Sequence, residues 1–180
     1  MAKKWIALFS QTGSEIVNIV DTVGRAPDLV MTNNKDSVQW NDGIRQTCKN
    51  IMVNTHDKLM GYLRENTEYA PEDTVITLHG YLRIVPEDVC GAYIMFNGHP
   101  AAIDLYEELK GKDPQVRTWK GYYPTIGSVV HRVTAGVDEG PLVSVVHRDN
   151  TAQSEEELYG LLKETSLQSW LDFLKDYECV

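Results

Sequence analysis

The sequence predicts an α/β fold, a Rossmann-like, mostly parallel sheet flanked by helices, with an antiparallel pair toward the C-terminus. Two observations carry this. Short apolar runs alternate with amphipathic stretches from the first residues onward, the pattern that strand and crossover-helix units require. Late in the chain two strand-like runs, 126–134 and 142–147, follow one another across a turn-rich segment, so they can pair directly.

Residues 4–9 are an apolar run and read as a buried first strand. Ser10-Gln11-Thr12-Gly13-Ser14 is a turn, and 15–20 has the pattern of the helix that follows. A short strand is expected at 28–32, a polar loop at 33–41 and a third strand at 51–54. A helix follows at 55–65 with Thr55 as its N-cap. The β-branched run 73–78 ends at His79-Gly80 and reads as a central strand, and 92–97 as another. Residues 98–124, rich in Gly, Pro and Lys, read as a long irregular region. The last segment, 154–177, reads as a helix opened by a capping box of Ser154 and Glu157, with Leu158, Leu161, Leu162, Thr165, Ser169 and Phe173 near one face. With no repeat or linker, the expectation is one domain over 1–180.

The 180 residues suffice for one well-buried core, and 42% apolar with 24% charged residues argue against disorder. A net charge of −9 argues against broad nucleic-acid binding, which needs an extended basic surface, though a local anion pocket stays open. No run is long enough to span a membrane, and the apolar start at Met1 to Phe9 is too short for a signal peptide. Three widely spaced cysteines, Cys48, Cys90 and Cys179, support neither a disulfide framework nor a zinc site. A reducing, cytoplasmic location is the expectation.

Three segments could carry chemistry. Thr12-Gly13-Ser14 lies between a first strand and a helix, where backbone N–H groups suit a phosphate or carboxylate, although any strand-to-helix turn uses such residues. Its one glycine makes neither a dinucleotide fingerprint nor a P-loop, and Glu15 beside it repels an anion unless it turns away. Asn97-Gly98-His99-Pro100 sets an amide donor and an imidazole at a strand end, and reads equally well as a polar turn. Asp138 sits in a loop bracketed by Gly136 and Gly140, where it could orient an imidazole or simply belong to a hairpin-like turn.

Taken in order, these segments resemble the folate-dependent formyltransferase family, most closely its phosphoribosylglycinamide branch. The likeness rests on Phe9 to Ser14, on Gly80-Tyr81-Leu82-Arg83-Ile84-Val85, on Asn97-Gly98-His99-Pro100, and on Gly127 to Val133 continuing into Asp138-Glu139-Gly140-Pro141. The resemblance implies the formyltransferase fold as a single catalytic domain. It implies formyl transfer from 10-formyltetrahydrofolate to the primary amine of a small phosphorylated acceptor, phosphoribosylglycinamide first, within purine biosynthesis and one-carbon metabolism. Asn97, His99 and Asp138 are then catalytic. Arg83, Ile84 and Val85, with Val133, Thr134, Ala135, Gly136 and Val137, hold the folate, and Thr12, Gly13 and Ser14 hold the substrate phosphate. No metal is implied, because the donor is already activated by its aryl nitrogen.

This chain departs from the family on the acceptor side. Thr165-Ser166-Leu167 stands where the family's late helix carries Gln-Glu-His, and Glu15 where Asn is common. The connection after His99 is longer and more charged than the family's. An amino sugar or nucleotide-linked amine is therefore a rival acceptor, and a folate-binding module without turnover a rival class. The methionyl-tRNA branch is not expected, since the chain is acidic and leaves no room for a tRNA-binding module. Of the remaining residues, His131 reads as core or as supporting the site, and His56, His79 and His147 have no assignable partner. Arg83 is an anion anchor or a structural salt bridge, and Lys110-Gly111-Lys112 a solvated loop or a contact for the folate glutamate tail.

Overall fold

The computed structural model describes residues 3–177, so Met1, Ala2 and Cys179 lie outside the described residues. Its strands are β1 (Lys4–Phe9), β2 (Leu29–Thr32), β3 (Ile51–Val53), β4 (Thr74–Leu78), β5 (Ile94–His99), β6 (Thr125–Arg132) and β7 (Leu142–Asp149). The helices are α1 (Ser14–Val23), α2 (Gly43–Thr47), α3 (His56–Glu65), α4 (Glu87–Ala92), α5 (Pro114–Gly121) and α6 (Glu155–Asp176). One seven-stranded sheet has the order β3-β2-β1-β4-β5-β6-β7. Its pairs are parallel from β3 through β5 and antiparallel at β5/β6 and β6/β7, as expected.

Pleating divides the core between the two faces. Trp5, Ala7 and Phe9 of β1 pack with α1 and with Trp170, Phe173 and Leu174 of α6. Ile6 and Leu8 pack on the other face with Leu59, Met60 and Leu63 of α3 and Val89 and Cys90 of α4. A central parallel strand is buried on both faces, which is why residues 5–9 are apolar without alternation.

The strand order reverses between β1 and β4, and the crevice above such a point is the usual ligand site of an open α/β sheet. The two turns there are tied together: Ser10 N donates to the Gly80 carbonyl at 3.2 Å, and Leu82 N to Ser10 Oγ at 3.0 Å. Gly13, at φ +71°, lets the chain enter α1 against Ile44.

Helix α6 covers the β5–β7 end of the sheet. Ser154 caps it through Glu157 N at 3.2 Å, a bond of about 1 kcal/mol. The Glu157 carboxylate reaches back one residue further than a capping box requires, to Gln153 N at 2.7 Å. Thr165 and Ser169, buried mid-helix, return their hydroxyls to the Leu161 and Ser166 carbonyls. Leu161 is only half-buried, whereas Ser166, Trp170 and Leu174 join the buried face.

Two expectations are corrected, and two segments without an assignment become helices. The irregular region 98–124 contains α5, started by Pro114 at the first helical position. The segments at Gly43–Thr47 and Glu87–Ala92 are short helices, too brief to show periodicity. Ala92 therefore closes α4, and β5 runs two residues later than expected, to His99. Thr55 stands at the N-cap of α3 as expected, its side chain making no capping bond.

Candidate active site

Asn97 and His99 project from one side of β5, separated by Gly98, which turns to the α6 side. Antiparallel pairing sets His131 of β6 opposite Asn97. Beside it the β6/β7 register slips: Val130 pairs with Ser144 and His131 with Leu142, a bulge of the kind that re-aims side chains.

The loop 133–141 leaves β6 and returns to the end of β5. Val133 N donates to the Met95 carbonyl, and Arg132 N to the Pro141 carbonyl. Gly140 is required at its base, because a Cβ there would lie 1.7 Å from the Arg132 carbonyl oxygen. Asp138 takes φ +53°, a left-handed conformation Asp tolerates. Its side chain is 9% exposed and lies between two imidazoles, with Oδ2 3.2 Å from His99 Nδ1 and Oδ1 3.1 Å from His131 Nε2. Gly111 N donates to Oδ2 at 2.8 Å, and Asn97 Nδ2 approaches Oδ1 at 3.5 Å. The three expected catalytic residues thus meet.

The hydrogen-bond partners define where protons sit. His99 Nε2 faces the Leu109 carbonyl at 2.9 Å and must donate to it, so Nδ1 is the nitrogen that exchanges a proton with Asp138. His131 Nδ1 donates to the Arg132 carbonyl at 3.0 Å. Its Nε2 lies 3.2 Å from Asn97 Nδ2, so a neutral ring accepts from Asn97 and a protonated ring donates to Asp138. Burial pushes the Asp138 carboxyl up, but the bond from His131, the charge of His99 and the Gly111 amide outweigh it and hold it below the usual carboxylate range. Burial pushes His99 below the ordinary imidazole value, with Asp138 pulling the other way.

This sets a pH dependence. The unfolded chain binds more protons than the fold between the lowered value of His99 and about 6.5, so stability rises with pH through that window. Thermal melts are expected to show a lower Tm at pH 5 than at pH 7.5, with a smaller difference in His99→Gln; equal differences in the two proteins contradict the assignment.

A second network, not anticipated from sequence, lies on the α6 side. Glu15, in the first turn of α1, turns inward, and Oε1 accepts from His79 Nδ1 and Trp170 Nε1, both at 2.7 Å. Its Oε2 accepts from Ser166 Oγ at 2.5 Å. Thr77 Oγ1 lies 2.8 Å from His79 Nε2 and accepts from Trp5 Nε1 at 2.7 Å. Burial raises the Glu15 carboxyl, but its bonds and the charge of His79 hold it below the usual range. The Trp170 indole lies against Gly98, where a Cβ would sit 2.6 Å from Nε1, so this network supports the strand segment between Asn97 and His99.

The other expected ligand residues are dispersed. Val85 and Val133 are buried in one cluster with Tyr81, while Ile84 (67% exposed) and Val137 (51%) face outward. Arg83, Thr134 and Ala135 are exposed, Gly136 is half-buried, and Arg83 makes no salt bridge among the described residues. Thr12 and Ser14 bond to each other at 2.9 Å over the buried Gly13. Lys110 pairs with Glu107 at 3.2 Å, His56 Nδ1 with the Tyr81 hydroxyl at 2.8 Å, and His147 with Asp104 at 3.0 Å. Among the described residues no group of three or more His, Cys, Asp or Glu could hold a metal ion, and no helix is long and apolar enough to cross a membrane.

No protein-family model matches the sequence, and no curated protein matches it. Solved structures do. Glycinamide ribonucleotide transformylase 1 from Symbiobacterium toebii superposes with a TM-score of 0.81 at 20% identity, over 98% of this chain and 88% of that one. Phosphoribosylglycinamide formyltransferase from Campylobacter jejuni gives 0.80 at 19%, over 97% and 98%. The Brucella melitensis enzyme of the same name gives 0.80 at 16%, over 100% and 97%. At such identities the likeness establishes the fold, which this chain shares along its length.

Proposed function

We propose that this chain is a 10-formyltetrahydrofolate-dependent formyltransferase acting on the primary amine of a small phosphorylated acceptor, with phosphoribosylglycinamide the first candidate. The observation that carries the reading is the meeting of Asn97, His99 and Asp138 at the end of β5, in a fold shared with proteins named phosphoribosylglycinamide formyltransferase or glycinamide ribonucleotide transformylase.

Residues suited to the donor are present. Ile84 and Val137 offer exposed apolar surface on two irregular loops, whose main-chain groups can meet the edge of a pterin. Thr12, Gly13 and Ser14 are the candidates for the acceptor phosphate at the start of α1. When bound, the folate supplies a formyl carbon activated by its aryl nitrogen. As the acceptor nitrogen bonds to that carbon, Asn97 donates to the formyl oxygen, on which negative charge gathers. Asp138 takes the proton lost by the amine, directly or through water, and His99 Nδ1 shares it. The His99–Asp138 pair returns a proton to the donor nitrogen as its bond to the formyl carbon breaks. The products are the formylated amine and tetrahydrofolate, with no net change in protons on the protein.

One observation favours a second acceptor class. Ser166, which stands where the family's late helix carries a carboxylate, is buried and spends its hydroxyl on the inward-turned Glu15, so that acceptor-side contact is missing and an amino sugar or a nucleotide-linked amine becomes the rival. The test incubates the protein with the folate donor and a panel holding phosphoribosylglycinamide, amino sugars and nucleotide-linked amines, and reads products by mass. One amine is expected to gain a formyl group, with Asn97→Ala and His99→Ala each slowing the gain at least about 100-fold. Donor bound tightly but never consumed would make the chain a binding module and end the enzyme reading.

A further inference from the structure

The charged connection between His99 and α5 has so far only lengthened the chain. At its end, Arg117 of α5 reaches back across three consecutive main-chain carbonyls. Its Nη1 donates to Glu108 O at 2.5 Å, and its Nη2 to Leu109 O at 3.1 Å and to Lys110 O at 2.7 Å. The Leu109 carbonyl is the same one that receives His99 Nε2, and the amide two residues on, Gly111 N, is the one that donates to Asp138 Oδ2. Residues 109–111 therefore hold both members of the catalytic pair, and the guanidinium holds residues 108–110.

The other contacts of this segment are local or exposed: Leu109 N and Lys110 N donate to the Tyr106 and Glu107 carbonyls three residues back, and the Tyr123 hydroxyl donates to the Glu108 carboxylate. The Lys110–Glu107 ion pair in this segment involves an 85%-exposed glutamate and is worth about 0–1 kcal/mol. Arg117, in contrast, is anchored in α5, where Thr118 is buried and bonded to the Pro114 carbonyl. Its position is costly: Nε is buried with no hydrogen-bond partner, and among the described residues no carboxylate lies within ion-pairing distance of the side chain. A cation compensated only by carbonyl dipoles is an unusual choice for a loop clamp. Its planar fork explains the choice, because a lysine ammonium presents one point charge where three carbonyls must be spanned.

We propose that Arg117 is a positioning residue for the reaction: by clamping the 108–110 carbonyls it sets the ring of His99 and the carboxylate of Asp138. This rests on the reading of those two as catalytic. The groups around the His99 ring are the Asp138 carboxylate, the Leu109 carbonyl, His131 beyond Asp138 and Arg117 beyond the carbonyl. The guanidinium therefore also opposes a second proton on His99, in the same sense as His131 and against Asp138.

The experiment uses the full chain with Arg117→Lys and Arg117→Gln. It follows the His99 ring titration and the Gly111 amide by NMR, and kcat and KM for the folate donor. Arg117→Lys keeps the charge without the fork. Its kcat is expected to fall about 10- to 100-fold with donor KM within about twofold, and the Gly111 amide signal to move, since a misplacement of about 1 Å can cost a factor of this size. Arg117→Gln is expected to show the same kcat loss and a His99 midpoint shifted upward, because the opposing charge is gone. Unchanged Gly111 and His99 signals in both variants overturn the proposal, whether kcat holds or falls together with thermal stability. Should Arg117→Gln not fold, Arg117→Lys decides alone. A parent protein that transfers no formyl group defeats the proposed function instead, and leaves the two NMR readouts as the test of the clamp.

Discussion

Asp138→Asn is expected to lower formyl transfer by about 10²- to 10⁴-fold while the protein stays folded. The substitution preserves shape, so the loss isolates charge and proton affinity. Asp138 is approached by an N–H from Gly111 and by two imidazole nitrogens, His99 Nδ1 and His131 Nε2. An asparagine can accept through one atom only: with its oxygen on Gly111 N, its amide nitrogen can donate to Nε2 of a neutral His131, which keeps the loop in place. The reverse orientation sets that nitrogen against the Gly111 N–H and is disfavoured. The neutral amide also has no affinity for the proton leaving the amine. Single-turnover rates, with far-UV circular dichroism as the control for folding, check this. A loss smaller than about tenfold would remove Asp138 from proton transfer.

Trp170→Ala has the largest expected effect on stability, about 3–5 kcal/mol. The ring is fully buried, lies 4.4 Å from His79 and 5.5 Å from Phe173 between centroids, and fills the space in front of Gly98. Its removal opens a cavity and takes from the Glu15 carboxylate the indole donor at 2.7 Å. Trp170→Phe separates the two effects, since it keeps most of the volume and loses only the donor, at about 1–3 kcal/mol. Urea unfolding of the three proteins measures both. Equal losses in the two variants would show that packing contributes little here, and a loss below about 1.5 kcal/mol for Trp170→Ala would contradict the placement of the ring.

Much of the architecture was legible in the sequence because it follows from local patterning. An apolar run without alternation marked β1 at Lys4–Phe9, β-branched residues marked β4, and Ser154 with Glu157 marked the start of α6. The short helices were not legible. The segment Glu87–Ala92 buries only Val89 and Cys90, and nothing in six residues distinguishes that from the start of a strand. The candidate site divides in the same way. Asn97, His99 and Asp138 were visible as residue types at strand ends and in a glycine-bracketed loop. His131 was ambiguous, because whether it supports the site depends on the β5/β6 register and on the slip beside it.

By itself, the sequence determined the succession of strands, the helices α1, α3 and α6 and the residues able to carry acid–base chemistry, since these depend on neighbours a few positions apart. Only the tertiary structure decided which of those residues meet. It turned Glu15 onto His79, Trp170 and Ser166, set Asp138 between two imidazoles, and brought Arg117 under the segment that holds His99. These contacts join residues from separate elements, up to 155 positions apart for Glu15 and Trp170. Their geometry is set by how helices and loops pack on the sheet, a long-range property that no local pattern in the chain encodes.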